Sequence, residues 1–222
     1  MILHKIYRKA DNIDMEECIG NKDAPIWLIG DSAPKRWIND LSHPFDRRHP
    51  AVHNIWTPII YETQKNIYKE KSTIITDEEK IFFIKNAVYM DKQKPERNKK
   101  EWGQHYEALI EQLTNMTKDI SKYKPKMVIT FGAFAFEFIR RCYPSDATVP
   151  YCYGHWGAEN LGEEFRKSIK NKCTVVPLLH TSISRGKWVS AHEKFTKDKD
   201  GNYYDFVAKM LYQRIIEVLN LK

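Results

Sequence analysis

Three apolar segments of this chain end in polar residues that a buried strand does not need. Ala24–Gly30 (APIWLIG) opens into Asp31-Ser32-Ala33-Pro34-Lys35. Asn86 stands inside FFIKNAVYM, and Thr174–Leu179 (TVVPLL) runs directly into His180-Thr181-Ser182-Ile183-Ser184-Arg185-Gly186-Lys187. The amide of Asn86 offers an acceptor and a donor in one plane, which suits the Watson–Crick edge of a pyrimidine. Burying that amide among apolar neighbours costs free energy unless it finds partners, which favours a pocket over plain core. His180 can donate a hydrogen bond to an oxygen that gains negative charge. Asp31 can position or activate water. Ser182 and Ser184 can donate to phosphates, Arg185 and Lys187 can neutralise them, and Gly186 allows close backbone approach. Each residue also has a plainer reading: Asn86 pinning nearby backbone, Asp31 capping the next turn, and His180 as a satisfied strand-end histidine.

These residues can work together only if the fold gathers them. In an open parallel sheet, ligands bind outside the carboxyl ends of the strands, so the three segments should meet on one edge. Strand-like and helix-like segments alternate along the chain. That pattern predicts an α/β domain with a central, mainly parallel four-stranded sheet flanked by helices. The expected strands are Ala24–Gly30, Ile81–Met90, Met127–Phe131 (MVITF) and Thr174–Leu179. Thr76–Glu79 has capping-box spacing, which conflicts with a strand starting so soon after it. Thr57–Lys71 should be helical, with Pro58 in its first turn. Trp102, Tyr106, Leu109, Leu113, Met116 and Ile120 form a helical stripe. Gly132 should open a helix through Tyr143, and Val207, Leu211, Ile215 and Val218 mark a last helix over Asp205–Leu221. Asp91–Lys100 reads as a charged loop and Pro144–Lys172 as irregular chain covering one end of the sheet. With no repeat, linker or low-complexity tract, residues 1–222 read as one domain with its core over about 24–221.

Composition narrows the field further. The 222 residues are 42% hydrophobic, 29% charged and 13% aromatic, which excludes a disordered, collagenous or coiled-coil chain. No apolar run reaches the ~18–20 residues that cross a bilayer, and no signal-peptide core follows the N-terminus, so a cytoplasmic protein without a membrane partner is expected. The four cysteines, Cys18, Cys142, Cys152 and Cys173, lack compact spacing and read as reduced thiols. A net charge of +7 with six Trp and twelve Tyr favours DNA as partner over acidic metabolites; a solvated lysine surface explains the charge equally well. Nothing points to an obligate protein partner.

In order and spacing, the motifs resemble the uracil-DNA glycosylase superfamily. Gly30–Pro34 looks like that family's Gly-acid/amide-x-Pro loop. Pro44-Phe45 falls where the family places an aromatic that stacks on the flipped base. Phe82–Val88 resembles the strand whose asparagine pairs with the base edge, and Met127–Ala135 the strand–Gly-Ala–helix element. His180–Lys187 (HTSISRGK) resembles the family's His-Pro-Ser loop. The resemblance runs from about Ala24 to Lys187. It implies a monofunctional DNA glycosylase that extrudes a pyrimidine and hydrolyses its N-glycosidic bond, leaving an abasic site. The implied roles are Asp31 for water or the sugar cation, His180 for the leaving charge, Phe45 for stacking and Asn86 for reading. Ser32 and Lys35 stand beside the base, and Ser182, Ser184, Arg185 and Lys187 hold the DNA.

Two departures carry information. The family motif has two residues between its Gly and Pro, whereas this chain has three; Ser32 or Ala33 therefore falls at the usual acid position, and Asp31 must supply the carboxylate from a shifted loop. Uracil-specific members place a tyrosine after the proline to block the base's 5-position. Here that residue is Lys35, which implies a pocket open to uracil or to a 5-modified pyrimidine of phage DNA, in an antiviral role. Asn54, Trp56, Tyr61 and Tyr151–Trp156 are available to line a larger pocket. The paired cysteines of iron–sulfur members are missing, so no cofactor is expected. His43, Asp46, His49 and His53 lack a metal-binding spacing. Three alternatives stay open: ordinary uracil repair, a non-catalytic DNA-binding module, and a nucleotide- or small-molecule-binding α/β protein. The last lacks a phosphate-cradling glycine motif.

Overall fold

Short runs of Val, Ile, Leu and Phe, buried on both faces, build the centre of the protein, as a parallel sheet covered by helices requires. The computed structural model describes residues 18–32, 57–73, 78–89, 93–143, 150–180, 188–199 and 201–221. Four strands are parallel: β2 (Ile26–Gly30), β3 (Phe82–Asn86), β4 (Met127–Phe131) and β5 (Val175–Leu178). A two-residue strand, β1 (Cys18–Ile19), adds an antiparallel edge beside β3 that the sequence pattern does not announce. The order across the sheet is β1-β3-β2-β4-β5. From β2 the chain moves to one side to make β3, then crosses back to make β4 on the other. The carboxyl ends of β2 and β4 therefore flank a topological switch point, the usual place for a ligand crevice.

The helices are α1 (Thr57–Lys71), the single turn α2 (Glu78–Ile81), α3 (Glu107–Tyr123), α4 (Ala133–Cys142), α5 (Ala158–Lys170), α6 (Val189–Thr196) and α7 (Tyr203–Leu219). Thr57–Lys71 and Met127–Phe131 agree with expectation at both ends. Of the conflict at Thr76–Ile81, Glu78–Ile81 forms a turn of helix running straight into β3, while Thr76 and Asp77 lie outside the described residues. The expectation of irregular chain over Pro144–Lys172 is wrong for its second half, which forms α5. That helix buries Leu161, Gly162, Phe165 and Ser168. A Cβ at Gly162 would meet the Phe195 carbonyl oxygen at 2.2 Å, so only glycine lets α5 approach the α6 backbone so closely. α1 packs against α7. The N-cap of α7 is Asn202, whose side chain accepts from the backbone N–H groups of Tyr204 and Asp205.

The core joins Trp27, Leu28, Ile29, Phe83, Ile84, Val128, Phe131, Phe134, Phe138, Phe165, Val176 and Phe195 in one buried cluster. Cys142 lies within it, and burial pushes its thiol up to about 12, leaving it an inert apolar filler at neutral pH. No helix among the described residues is long and apolar enough to cross a membrane.

Candidate active site

Strand register decides which residues meet. In the parallel pairing of β2 with β3, Gly30 stands opposite Asn86. The ladder continues past both strand ends, with Ala87 N–H donating to the Gly30 carbonyl at 2.9 Å and Val88 N–H to the Asp31 carbonyl at 3.3 Å. Asp31 and Asn86 are thus neighbours on the carboxyl edge, and both are half-buried.

His180 reaches the same edge from the other side. It follows Leu178 and Leu179 at the end of β5, which pairs with β4 through Phe131 and Leu178. Gly132, next after β4, donates its N–H to the Leu178 carbonyl at 2.8 Å. Its φ is +98°, and a Cβ there would lie 2.8 Å from His180 Cβ and 3.1 Å from Cδ2. Both the left-handed backbone and the close approach demand glycine at this position. The imidazole therefore rests on the backbone turn that starts α4. From behind, the buried Tyr203 hydroxyl accepts the Leu179 N–H at 3.1 Å. His180 is held from two directions, two residues past the end of β5.

Asp31 has partners of its own. Its Oδ1 accepts from Ser32 Oγ at 3.0 Å and from Lys94 Nζ at 2.8 Å. Lys94 also lies 5.7 Å from the ring centre of Phe134, the second residue of α4. Phe134 in turn meets Tyr153 edge-on, with centroids 5.5 Å apart. The segment carrying Lys94, expected as a charged loop, thus brings this lysine to the carboxyl edge of the sheet. The sequence offered no local signal for Lys94, because its partner lies 63 residues away.

The Tyr151–Trp156 segment is clamped to α4 by a buried carboxylate. Glu137, fully buried, accepts from Arg140 (Nε, 2.9 Å; Nη2, 3.1 Å), from Arg141 Nε (2.7 Å), from the Tyr151 N–H (3.0 Å) and from the Trp156 indole N–H (2.9 Å). Arg141 also lies 3.7 Å from the centre of the Trp102 ring. Tyr151 stacks on His155 with centroids 4.4 Å apart, while Trp156 is buried edge-on against Phe136. Trp156 is thus core rather than pocket wall, Tyr151 and Tyr153 keep partial exposure, and His155 is exposed. Tyr61 is 64% exposed on α1.

Of the residues singled out from sequence, Asp31, Ser32, Asn86 and His180 share one edge of the sheet around the β2/β4 switch point. Phe45, Lys35, Asn54, Trp56, Ser182, Ser184, Arg185 and Lys187 lie outside the described residues, as do His43, Asp46, His49 and His53. Among the described residues, no group of three or more His, Cys, Asp or Glu is placed to hold a metal ion. The described cysteines form no disulfide with one another.

A family model of the Uracil DNA glycosylase superfamily matches residues 19–199. The chain belongs to that superfamily. The match covers the greater part of the 222 residues and includes all four parallel strands, with Asp31, Asn86 and His180. Uracil-DNA glycosylase superfamily members are generally DNA glycosylases acting on DNA, and the parallel sheet flanked by helices agrees with that fold. No curated protein matches the chain.

Proposed function

We propose that this protein is a monofunctional DNA glycosylase that flips a pyrimidine out of DNA and hydrolyses its N-glycosidic bond, leaving an abasic site. The observation that carries this reading is the meeting of Asp31, Asn86 and His180 on one sheet edge at the switch point, within a chain of glycosylase ancestry. Asn86 pairs with the edge of the extruded base, and Phe45 stacks on its face. His180 donates to the carbonyl oxygen that becomes negative as the bond breaks. Asp31 orients water toward the sugar and offsets its developing positive charge. Ser182, Ser184, Arg185 and Lys187 hold the flanking backbone, so affinity should fall steeply with salt.

Lys35 in place of a blocking aromatic supports a pocket that admits uracil and 5-modified pyrimidines, including those of phage DNA. Alkaline cleavage after incubation with uracil-containing, unmodified and phage-modified DNA tests this directly. Strand breaks in the phage-modified DNA alone assign modified-base excision in defence, and breaks in the uracil DNA alone assign repair. Binding without breaks in any of them leaves a non-catalytic module, a reading favoured by the extra residue between Gly30 and Pro34.

Asn86→Ala should lower single-turnover base release by more than about 100-fold, because the base then meets no matched partner at its edge. Duplex affinity at fixed salt should stay within about twofold, since phosphate contacts set most of it. Undiminished release would remove Asn86 from the pocket.

A further inference from the structure

We propose that Lys94 is the positioning residue for the Asp31 carboxylate, and that the segment bearing it is a strap built for that purpose. This role rests on the glycosylase reading above.

The strap comprises the described residues 93–97. The chain that delivers Asn86 continues to Lys94, and Arg97 then docks on the short helical turn at Tyr153–His155. Gly154 donates its N–H to the Arg97 carbonyl at 2.9 Å. A Cβ at Gly154 would meet Arg97 Cγ and O at 2.9 Å, so the Gly154 backbone lies directly against both the main chain and the side chain of Arg97. Pro95 is buried between the two ends. On its C-terminal side Lys94 is therefore followed by a docked segment, through buried Pro95 and the Arg97 carbonyl.

Its side chain is as constrained as its backbone. The Lys94 and Asp31 side chains are only 18% and 12% exposed, and Nζ sits 2.8 Å from Oδ1. Exposed ion pairs contribute little, but breaking a largely buried one strands a charge. Ser32 Oγ donates to the same Oδ1. Both donors thus take the same oxygen, so the carboxylate is anchored through Oδ1. A carboxylate fixed through one oxygen presents the second in a set direction, which is what holding an attacking water requires. The paired ammonium is also directed at a carboxylate and not at a sugar carbon, which suits hydrolysis by water over attack by lysine.

The test is a kinetic cycle on a substrate identified by alkaline cleavage, with base release measured under single-turnover and steady-state conditions. Lys94→Met should lower kcat about 100-fold with KM within about threefold, since misplacing a reacting group by about an ångström costs that much. Lys94→Arg, which keeps the charge and the hydrogen bond, should recover at least tenfold of the loss. In an Asp31→Asn background, Lys94→Met should cost less than threefold, because the group it positions is gone. Matching thermal melts confirm that each variant is folded. Full kcat in Lys94→Met beside an active wild type overturns the role of Lys94 alone. Equal losses with and without Asp31 overturn it too, as does a borohydride-trapped DNA adduct that disappears in Lys94→Arg, which would make Lys94 a nucleophile. A wild type that releases no base from any DNA overturns the glycosylase reading and this role with it.

Discussion

Alanine at position 180 is expected to slow base release about 100- to 1,000-fold, roughly 3–4 kcal/mol, the usual cost of removing one donor aimed at a developing oxyanion. The donor matters because it is fixed before the reaction starts, so no reorganisation is needed as charge moves onto the base. Here the fixing is visible. Gly132 at φ +98° leaves room for the imidazole, and the Tyr203 hydroxyl secures the preceding peptide at 3.1 Å. Gly132→Ala should therefore lower base release strongly without touching the histidine itself. It forces a Cβ to within 2.8 Å of His180 Cβ and puts alanine at φ +98° and ψ 168°, a backbone region essentially reserved for glycine, a strain of about 1–3 kcal/mol. The decisive measurement is the pair of changes together. If Gly132 acts through His180, adding His180→Ala to Gly132→Ala should cost much less than it does in the wild type. Single-turnover rates that simply multiply would separate the two residues and leave Gly132 a purely structural glycine.

The sequence discloses the site unevenly, and the reason is the range of the forces involved. β4 and its glycine were readable because an all-apolar strand and a helix-opening glycine are local signals; MVITF followed by Gly132 needs no knowledge of the rest of the chain. Asn86 and His180 were readable as exceptions, polar groups at the ends of apolar runs. Lys94 was not, because nothing in DKQKPERNKK sets one lysine apart, and only its ion pair with Asp31 singles it out. Helix α5 was hidden by Gly162 and by the aromatic, glycine-rich chain before it. Its Leu161–Phe165–Ile169 spacing was a helical signal, but a mid-helix glycine argues against a helix until the close approach to Phe195 is known. Glu137 was not singled out from the sequence, although AFAFEFIRR carries a local signal for it: an acid between phenylalanines with arginines three and four residues on.

Glu137 therefore carries the largest expected effect on stability. Glu137→Ala should destabilise the fold by about 3–5 kcal/mol, as removing one partner of a buried ion pair usually does, because Arg140 and Arg141 lose their common acceptor. The Tyr151 N–H and the Trp156 indole N–H lose theirs as well, and each buried donor left without a partner costs about 1–3 kcal/mol. These costs overlap, since Arg141 keeps its bonds to the carbonyls of Lys100 and Tyr151 at 2.7 Å. Urea unfolding gives the number, with an unchanged slope showing that the fold is weakened and not expanded. The companion variant shows whether charge or shape is responsible. Glu137→Leu combined with Arg140→Met removes both members of the pair joined by two hydrogen bonds, and it should recover part of the loss if the stranded guanidinium is the main penalty. If the double variant is no more stable than Glu137→Ala, the carboxylate acts chiefly as the acceptor for Tyr151 and Trp156. Its task would then be to hold the 151–156 segment beside Phe134, and through Phe134 and Lys94 to brace the wall of the site.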